Sequence, residues 1–347
     1  MKIAFFCFFE PDRISGPSNS ITMLAKSLSC FFGFECSVFT TSSKLDEQFT
    51  INDVEISPMS KFLRDTNTFD FVVLSGIFDL SLFKISQKCR EKKIPYVISL
   101  RSNLMRNALK KSPLKKFFAL LTYTGYLLFF SKKLHYLNLD ELNNSFSFGK
   151  ETFVARNGLS IDVESGDVTR ENKIVFIGRL DISHKGLDLL LDSLKIIQKD
   201  LELNYWSVLL IGPDSVGDKA TINKKIHNLN LNHIIKILNA QTGVQKNVTL
   251  SSSKVFVHPS RYEGQPQAVI EAMAMGLIPV VTPGSNMAEH IESFFPVSTF
   301  NKFQYSALLL KAIKTNDDNL SQRISFYAKS NFNWRIAAQE FKDGLLK

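Results

Sequence analysis

Short apolar runs recur along the chain, each followed by a longer stretch with helical spacing, and this alternation sets the expected fold. Lys2 to Phe9, Cys36 to Thr41, Phe71 to Ser75, Tyr96 to Leu100 and Leu134 to Leu139 are apolar almost throughout. Continuous rather than alternating hydrophobicity marks strands buried on both faces of a parallel sheet. Between them, Ile21 to Phe32, with Met23, Leu24 and Leu28 on one face, and Leu80 to Lys93 read as helices. Glu10 to Ser20, rich in Gly, Pro, Ser and Asn, reads as a loop. After Phe153 to Arg156, the polar stretch Ser160 to Asn172 reads as a linker, and then the rhythm restarts. Lys173 to Ile177, Ser207 to Ile211, Ile234 to Leu238, Lys254 to His258 and Ile278 to Thr282 are the new strands, with an amphipathic helix over Leu187 to Leu201. The tail from Asn301 is helical, with Trp334 as its anchor. The pattern predicts an α/β protein of two doubly wound domains, residues 1–160 and 161–330, with 331–347 a final helix packing back towards the first.

Composition narrows this picture in a few places. A chain of 347 residues suits two domains of roughly 150 to 170 residues. The apolar fraction of 44% against 22% charged is that of a folded chain, which excludes a disordered one. Cys7, Cys30, Cys36 and Cys89 form no C-x-x-C pair and have no histidine at metal spacing, so neither a disulfide framework nor a zinc site is expected. The opening MKIAFFCFF ends at Glu10, Pro11, Asp12 and Arg13 without small residues for cleavage, and reads as a strand rather than a secretion signal.

The net charge of +9 is localised. Arg101 to Leu139 holds eight basic residues and no acid, and encloses Phe117 to Phe130, FFALLTYTGYLLFF. That apolar run is short of the roughly 20 residues that span a bilayer. It reads either as a buried helix with lysines at its ends or as a segment lying on an anionic membrane, with Lys110, Lys111, Lys115 and Lys116 on the head groups. Nothing resembles a recognition helix or an aromatic RNA platform, so a nucleic-acid partner is not expected.

Open parallel sheets bind ligands at the carboxyl ends of their strands, so the chemistry is sought there. Gly178, Arg179 and Leu180 follow one strand directly, and Lys185 and Gly186 open the next helix. An arginine and a lysine so placed can converge on a phosphate or diphosphate; a solvated basic turn is the alternative. Ser260 to Gly276, SRYEGQPQAVIEAMAMG, runs from another strand through a turn at Glu263 into a helix read as starting at Pro266 and stopping at Gly276. Glu271 lies in that helix among Ala268, Val269, Ile270, Ala272 and Met273, where an unpartnered carboxylate would be costly to bury. Its partner is either a basic or backbone group or a ligand with paired hydroxyls, such as a ribose. The Ser15 to Ser18 loop after the first strand, with Gly16, could close backbone amides over the same ligand.

G-R-L-x-x-x-x-K-G at Gly178 to Gly186 and P-S-R-Y-E-G-x-P-x-x-x-x-E-A-M-A-x-G at Pro259 to Gly276 resemble glycosyltransferase family 4, retaining enzymes of the GT-B fold. R-N-G-L at Arg156 to Leu159, Gly16, and the segment Arg101 to Phe118 add to the resemblance, which covers nearly the whole chain. It implies two Rossmann-like domains facing each other across a cleft, the first for the acceptor and the second for the donor. By resemblance Arg179 and Lys185 bind the donor's diphosphate, Glu271 its ribose, and Gly264, Gln265 and Pro266 the sugar. The resemblance also makes Glu263 the residue expected to stabilise the oxocarbenium-like charge at the anomeric carbon. The expected activity is metal-independent transfer of a sugar from a UDP- or GDP-type donor, with no cofactor, to a glycan acceptor of the lipid-linked or lipopolysaccharide, O-antigen or capsule type. The expected location is the cytoplasm, peripheral on the cytoplasmic face of the inner membrane.

The chain departs from the family at two points, and a third observation agrees with it. Gln265 stands where an aromatic residue commonly follows E-G, and Ser99, Leu100, Arg101, Ser102 stand where many members carry a histidine, which leaves Arg101 as an acceptor contact. D-x-D, which metal-dependent transferases of the other major fold use, is absent from the sequence. Two alternatives stay open at this point: a nucleotide-sugar epimerase or hydrolase of the same fold, and a silent nucleotide-sugar-binding subunit of an assembly complex.

Overall fold

The apolar runs become two separate parallel sheets. The computed structural model describes residues 1–10, 15–42, 44–45, 47–64, 68–110, 112–159 and 169–347. It divides into two units, Met1–Gly158 with Phe332–Lys347, and Leu159–Asn331. Of the linker stretch, 160–168 lies outside the described residues.

The first unit contains β1 (Lys2–Cys7), β2 (Glu35–Thr40), β3 (Phe49–Ile51), β4 (Val54–Pro58), β5 (Phe71–Ser75), β6 (Tyr96–Ser99), β7 (Lys133–Tyr136) and β8 (Glu151–Val154), in the order β3-β4-β2-β1-β5-β6-β7-β8. Every pairing is parallel except the β3–β4 hairpin. Alternate residues of β1 feed two cores: Ile3, Phe5 and Cys7 face one, Ala4 and Phe6 the other. The helix Trp334–Leu346 closes the first of these through Trp334, Ala337, Phe341 and Leu345. Arg156 holds it with an ion pair to Glu340 at 2.9 Å. Gly158 lets Trp334 in, since a Cβ there would stand 2.5 Å from the indole ring. Gly158→Ala is therefore expected to cost about 1–3 kcal/mol of stability by overpacking, read as a lower urea midpoint with an unchanged m-value.

The second unit contains β9 (Lys173–Ile177), β10 (Ser207–Ile211), β11 (Ile235–Leu238), β12 (Val255–His258) and β13 (Ile278–Val281), all parallel, in the order β11-β10-β9-β12-β13. β9, β12 and β13 have buried centres, as strands covered on both faces must.

Several local expectations are corrected. Gly16 is the first residue of the helix Gly16–Phe32, so the polar loop ends sooner than its composition suggests. Ser15 and Ser18 cap that helix reciprocally, Ser15 N donating to Ser18 Oγ at 2.7 Å and Ser18 N to Ser15 Oγ at 3.2 Å. Leu187 to Leu201 is two helices, Leu187–Ile196 and Gln198–Leu203. Phe117 to Phe130 is also two, Pro113–Leu121 and Tyr123–Phe130, broken at Thr122, whose hydroxyl donates to the Phe118 carbonyl at 2.8 Å. Pro266 is the N-cap of the helix Gln267–Ala274, not its first residue.

Candidate active site

The order of strand addition in the second sheet reverses at β9, with β10 and β11 on one side and β12 and β13 on the other. At such a switch point the carboxyl ends of neighbouring strands open a crevice for ligands. β9 and β12 are those neighbours, and the motif residues come from the segments that follow them.

After β9, Asp181 caps the one-turn helix Ile182–Lys185 by accepting from His184 N at 2.8 Å. Gly186 then turns the chain at φ 65°, where a Cβ would lie 2.0 Å from the carbonyl oxygen of Pro259. Only glycine allows this left-handed turn to pass so close to the segment after β12. The approach sets Lys185 Nζ 2.5 Å from Glu263 Oε1, both side chains nearly buried. The same oxygen accepts from Ser260 Oγ at 2.7 Å and lies 3.2 Å from His258 Nε2. His258 Nδ1 is buried without a hydrogen-bond partner, which fits a neutral ring carrying its proton on Nε2 and donating it to Glu263. Asn286 Nδ2 donates to the Glu263 carbonyl and holds the turn from behind.

Burial pulls the Glu263 carboxyl upward, but the Lys185 ammonium and the His258 hydrogen bond outweigh it and hold Glu263 well below the usual carboxylate range. Burial pushes the His258 and His184 imidazoles down, so neither adds a positive charge near neutrality. Arg179 stands beside this cluster: Nη2 donates to His184 Nδ1 at 2.8 Å and lies 3.4 Å from Asp181 Oδ2, while Nε is buried without a partner. His184 in turn donates from Nε2 to the Tyr262 carbonyl at 2.7 Å and stacks on the Tyr262 ring. A low-pKa carboxylate, an ammonium and a guanidinium thus meet at two strand ends.

Glu271 is 4% exposed, and Lys246 from the helix Gly243–Ser251 reaches its Oε1 at 2.8 Å. Of the two partners the sequence left open, the structure contains the basic one. Burial raises the Glu271 carboxyl above its ordinary value, and Lys246 recovers only part of the shift. Gly264, Gln265 and Pro266 form the turn between Glu263 and the helix that carries Glu271, and that helix has no side-chain cap.

The remaining predicted residues lie in the first unit. Gly16 sits at the capped helix start described above. Arg101 follows β6 at φ 50°; Nη1 donates to Asn157 Oδ1 at 3.0 Å, and Nε and Nη2 are buried without partners. Burial lowers its pKa, countered by Cys7 and Glu141. Lys110 and Lys115 are exposed; Lys116 turns its ammonium to the Ala108 carbonyl at 2.5 Å; Lys111 lies outside the described residues. His258, Ser260, His184, Asn286 and Lys246 were not singled out from the sequence. His258 and Ser260 had a signal, since both flank the strand end beside Glu263.

Residues 160–331 match the family described as glycosyl transferases group 1. The capsular polysaccharide biosynthesis glycosyltransferase CapH of Staphylococcus aureus is 26% identical over 89% of this chain and 90% of its own length. The GDP-mannose:cellobiosyl-diphosphopolyprenol alpha-mannosyltransferase of Xanthomonas campestris is 26% identical over 37% of this chain, which spans about a third (34%) of that relative. Among solved structures, Anabaena HepE in complex with UDP and glucose aligns with a TM-score of 0.77 over 99% of both chains at 16% identity. The fold is GT-B and the protein is a glycosyltransferase. The segment 160–331, nearly all of the second unit, thus carries the glycosyl transferases group 1 pattern.

Proposed function

We propose that the chain is a family 4 transferase that moves a hexose, with retention and without a metal ion or cofactor, from a UDP- or GDP-sugar to a lipid-linked glycan acceptor in cell-surface polysaccharide synthesis. It works at the cytoplasmic face of the inner membrane. The observation that supports this most is the contact of Lys185 with Glu263 at the ends of β9 and β12. A diphosphate is the ligand class that an ammonium and a guanidinium there would attract, aided by the uncapped start of the helix Gln267–Ala274. CapH and the mannosyltransferase are named for polysaccharide and diphosphopolyprenol glycosylation, which supports the acceptor class.

In this reading the diphosphate takes Lys185 over from Glu263, and the released carboxylate faces the anomeric carbon. The bond from that carbon to the diphosphate breaks while the acceptor hydroxyl oxygen bonds to it on the same face. The hydroxyl proton leaves on the departing diphosphate. Arg179 and Lys185 stabilise the leaving charge, and Glu263 the positive charge on the sugar. Glu271 accepts the ribose hydroxyls, with Lys246 offsetting part of the cost of its burial. Gly264, Gln265 and Pro266 line the sugar, and Arg101 contacts the acceptor.

A panel of UDP- and GDP-sugars tests the donor assignment by thermal shift. The right one is expected to stabilise the protein by roughly 2.7 kcal/mol at 100 times its dissociation constant. Nucleoside diphosphate release that requires a lipid-linked glycan acceptor marks transfer. Release without acceptor would mark a hydrolase, and no shift from any nucleotide sugar would count against the donor site.

A further inference from the structure

The break at Thr122 separates two helices with opposite habits. In Tyr123–Phe130, Thr124, Leu127 and Leu128 are buried, and this helix anchors the pair to the first unit. In Pro113–Leu121 only Ala119 is buried, while Leu114, Phe117, Phe118 and Leu121 are 73, 56, 63 and 66% exposed. Their spacing of i, i+3, i+4 and i+7 makes them one continuous face. Phe129, 69% exposed, is the outward residue of the anchoring helix. An unpartnered, contiguous face of large apolar side chains marks a binding surface.

Charge identifies the occupant. Lys110 and Lys115 are exposed at the start of the apolar face, and no acid occurs in sequence between Arg101 and Leu139. Cations from other elements border the anchoring helix: Lys150 lies 5.4 Å over the Phe129 ring and Arg90 4.0 Å over that of Phe130. Aromatic and aliphatic groups bordered by cations match a bilayer interface, with acyl chains below and anionic head groups above. Among the described residues no helix is long and apolar enough to cross a membrane, so the contact is one of lying on the surface. We propose that the helix Pro113–Leu121 docks the protein on an anionic membrane by inserting Leu114, Phe117, Phe118 and Leu121. This deepens the functional reading and rests on it, since a lipid-linked acceptor would then be met where it resides. An apolar face and a basic border are the two signals that stable peripheral binding requires.

The test is flotation of the full chain with vesicles of phosphatidylglycerol and phosphatidylcholine, against phosphatidylcholine alone, at low salt. The wild type is expected to float with the anionic vesicles. Combining Phe117→Ser, Phe118→Ser and Leu121→Ser is expected to weaken this by at least about a hundredfold, the loss expected from only three to four inserted CH₂ groups at about fourfold each. The melting temperature should not change, because these side chains are already exposed. Lys110→Gln with Lys115→Gln is expected to cost about thirtyfold on anionic vesicles only. A wild type that stays unbound, or a serine variant that binds as well as the wild type, would overturn the proposal. So would a wild-type dimer in light scattering that the serine variant abolishes without any vesicle binding, which would assign the face to a second copy. The thermal shift with UDP and GDP reports separately on the donor site; its absence alongside vesicle binding would sink the donor assignment and leave docking standing.

Discussion

Glu263→Gln is expected to lower kcat by about 10²–10³ while leaving donor affinity within a few-fold. The change keeps the shape of the side chain and removes its charge, so what is lost is stabilisation of positive charge that develops only on the way to the transition state. A glutamate that merely organised the turn would be replaced by glutamine at little catalytic cost, because Ser260 and Asn286 would still hold the segment. The same variant has a signature in stability. Glu263 is held well below its ordinary value of 4.5, so its contribution is present above that value and disappears as the pH falls through the folded pKa. The acid side of the melting-temperature profile should therefore flatten in Glu263→Gln. An unchanged acid limb together with full activity would remove the assignment.

Lys185→Met is expected to damage both stability and turnover. Lys185 and Glu263 side chains are 13 and 12% exposed, so the variant leaves a nearly buried carboxylate without its cation. Breaking such a pair from one side costs about 3–5 kcal/mol, whereas replacing both members is close to neutral. The double variant Lys185→Met with Glu263→Gln should accordingly melt well above the single lysine variant. It should nevertheless stay inactive, with kcat/KM down at least about 10³-fold, because neither the leaving diphosphate nor the sugar has its counter-charge. The double-mutant cycle in urea, read beside the kinetics, separates the structural share of the pair from the catalytic share. Stability recovered together with activity would show that the pair serves packing alone.

Much of the architecture was legible because it is written in local periodicity. The observed bounds of β5, β9 and β10 are those expected from the apolar runs, since buried parallel strands announce themselves as uninterrupted hydrophobic stretches. The β3–β4 hairpin escaped notice because one strand has only three residues. Its signal was the Asn52–Asp53 pair, both at positive φ, which makes the tight turn. Composition alone puts Gly16 in a loop, because serine and asparagine suit loops and caps equally. The reciprocal Ser15–Ser18 bonds decide for the cap, and a serine in place of the usual glutamate hid it. Phe117 to Phe130 read as one helix because Thr122 carries no breaker signature, and whether its hydroxyl bends a helix depends on context.

The site was legible only in part, for a different reason. Gly178 to Gly186 and Pro259 to Gly276 are contiguous motifs, each placed after an apolar run, and the family resemblance ties them together. Lys246 and Asn286 reach Glu271 and the Glu263 turn from separate elements, across 25 and 23 residues. Neither stands in a motif, so only the fold could bring them in.

The helix Trp334–Leu346 has a consequence for how the chain is made. The residues that finish the first unit leave the ribosome only after Leu159–Asn331 has been synthesised. Until then the odd-numbered face of β1, with Ile3 and Phe5, lacks its cover of Trp334, Phe341 and Leu345. The second unit is continuous in sequence and can fold as it emerges, whereas the first must wait, part-built, for its last piece. The unit made first is thus completed last, and its open apolar face is what a nascent-chain chaperone would have to guard.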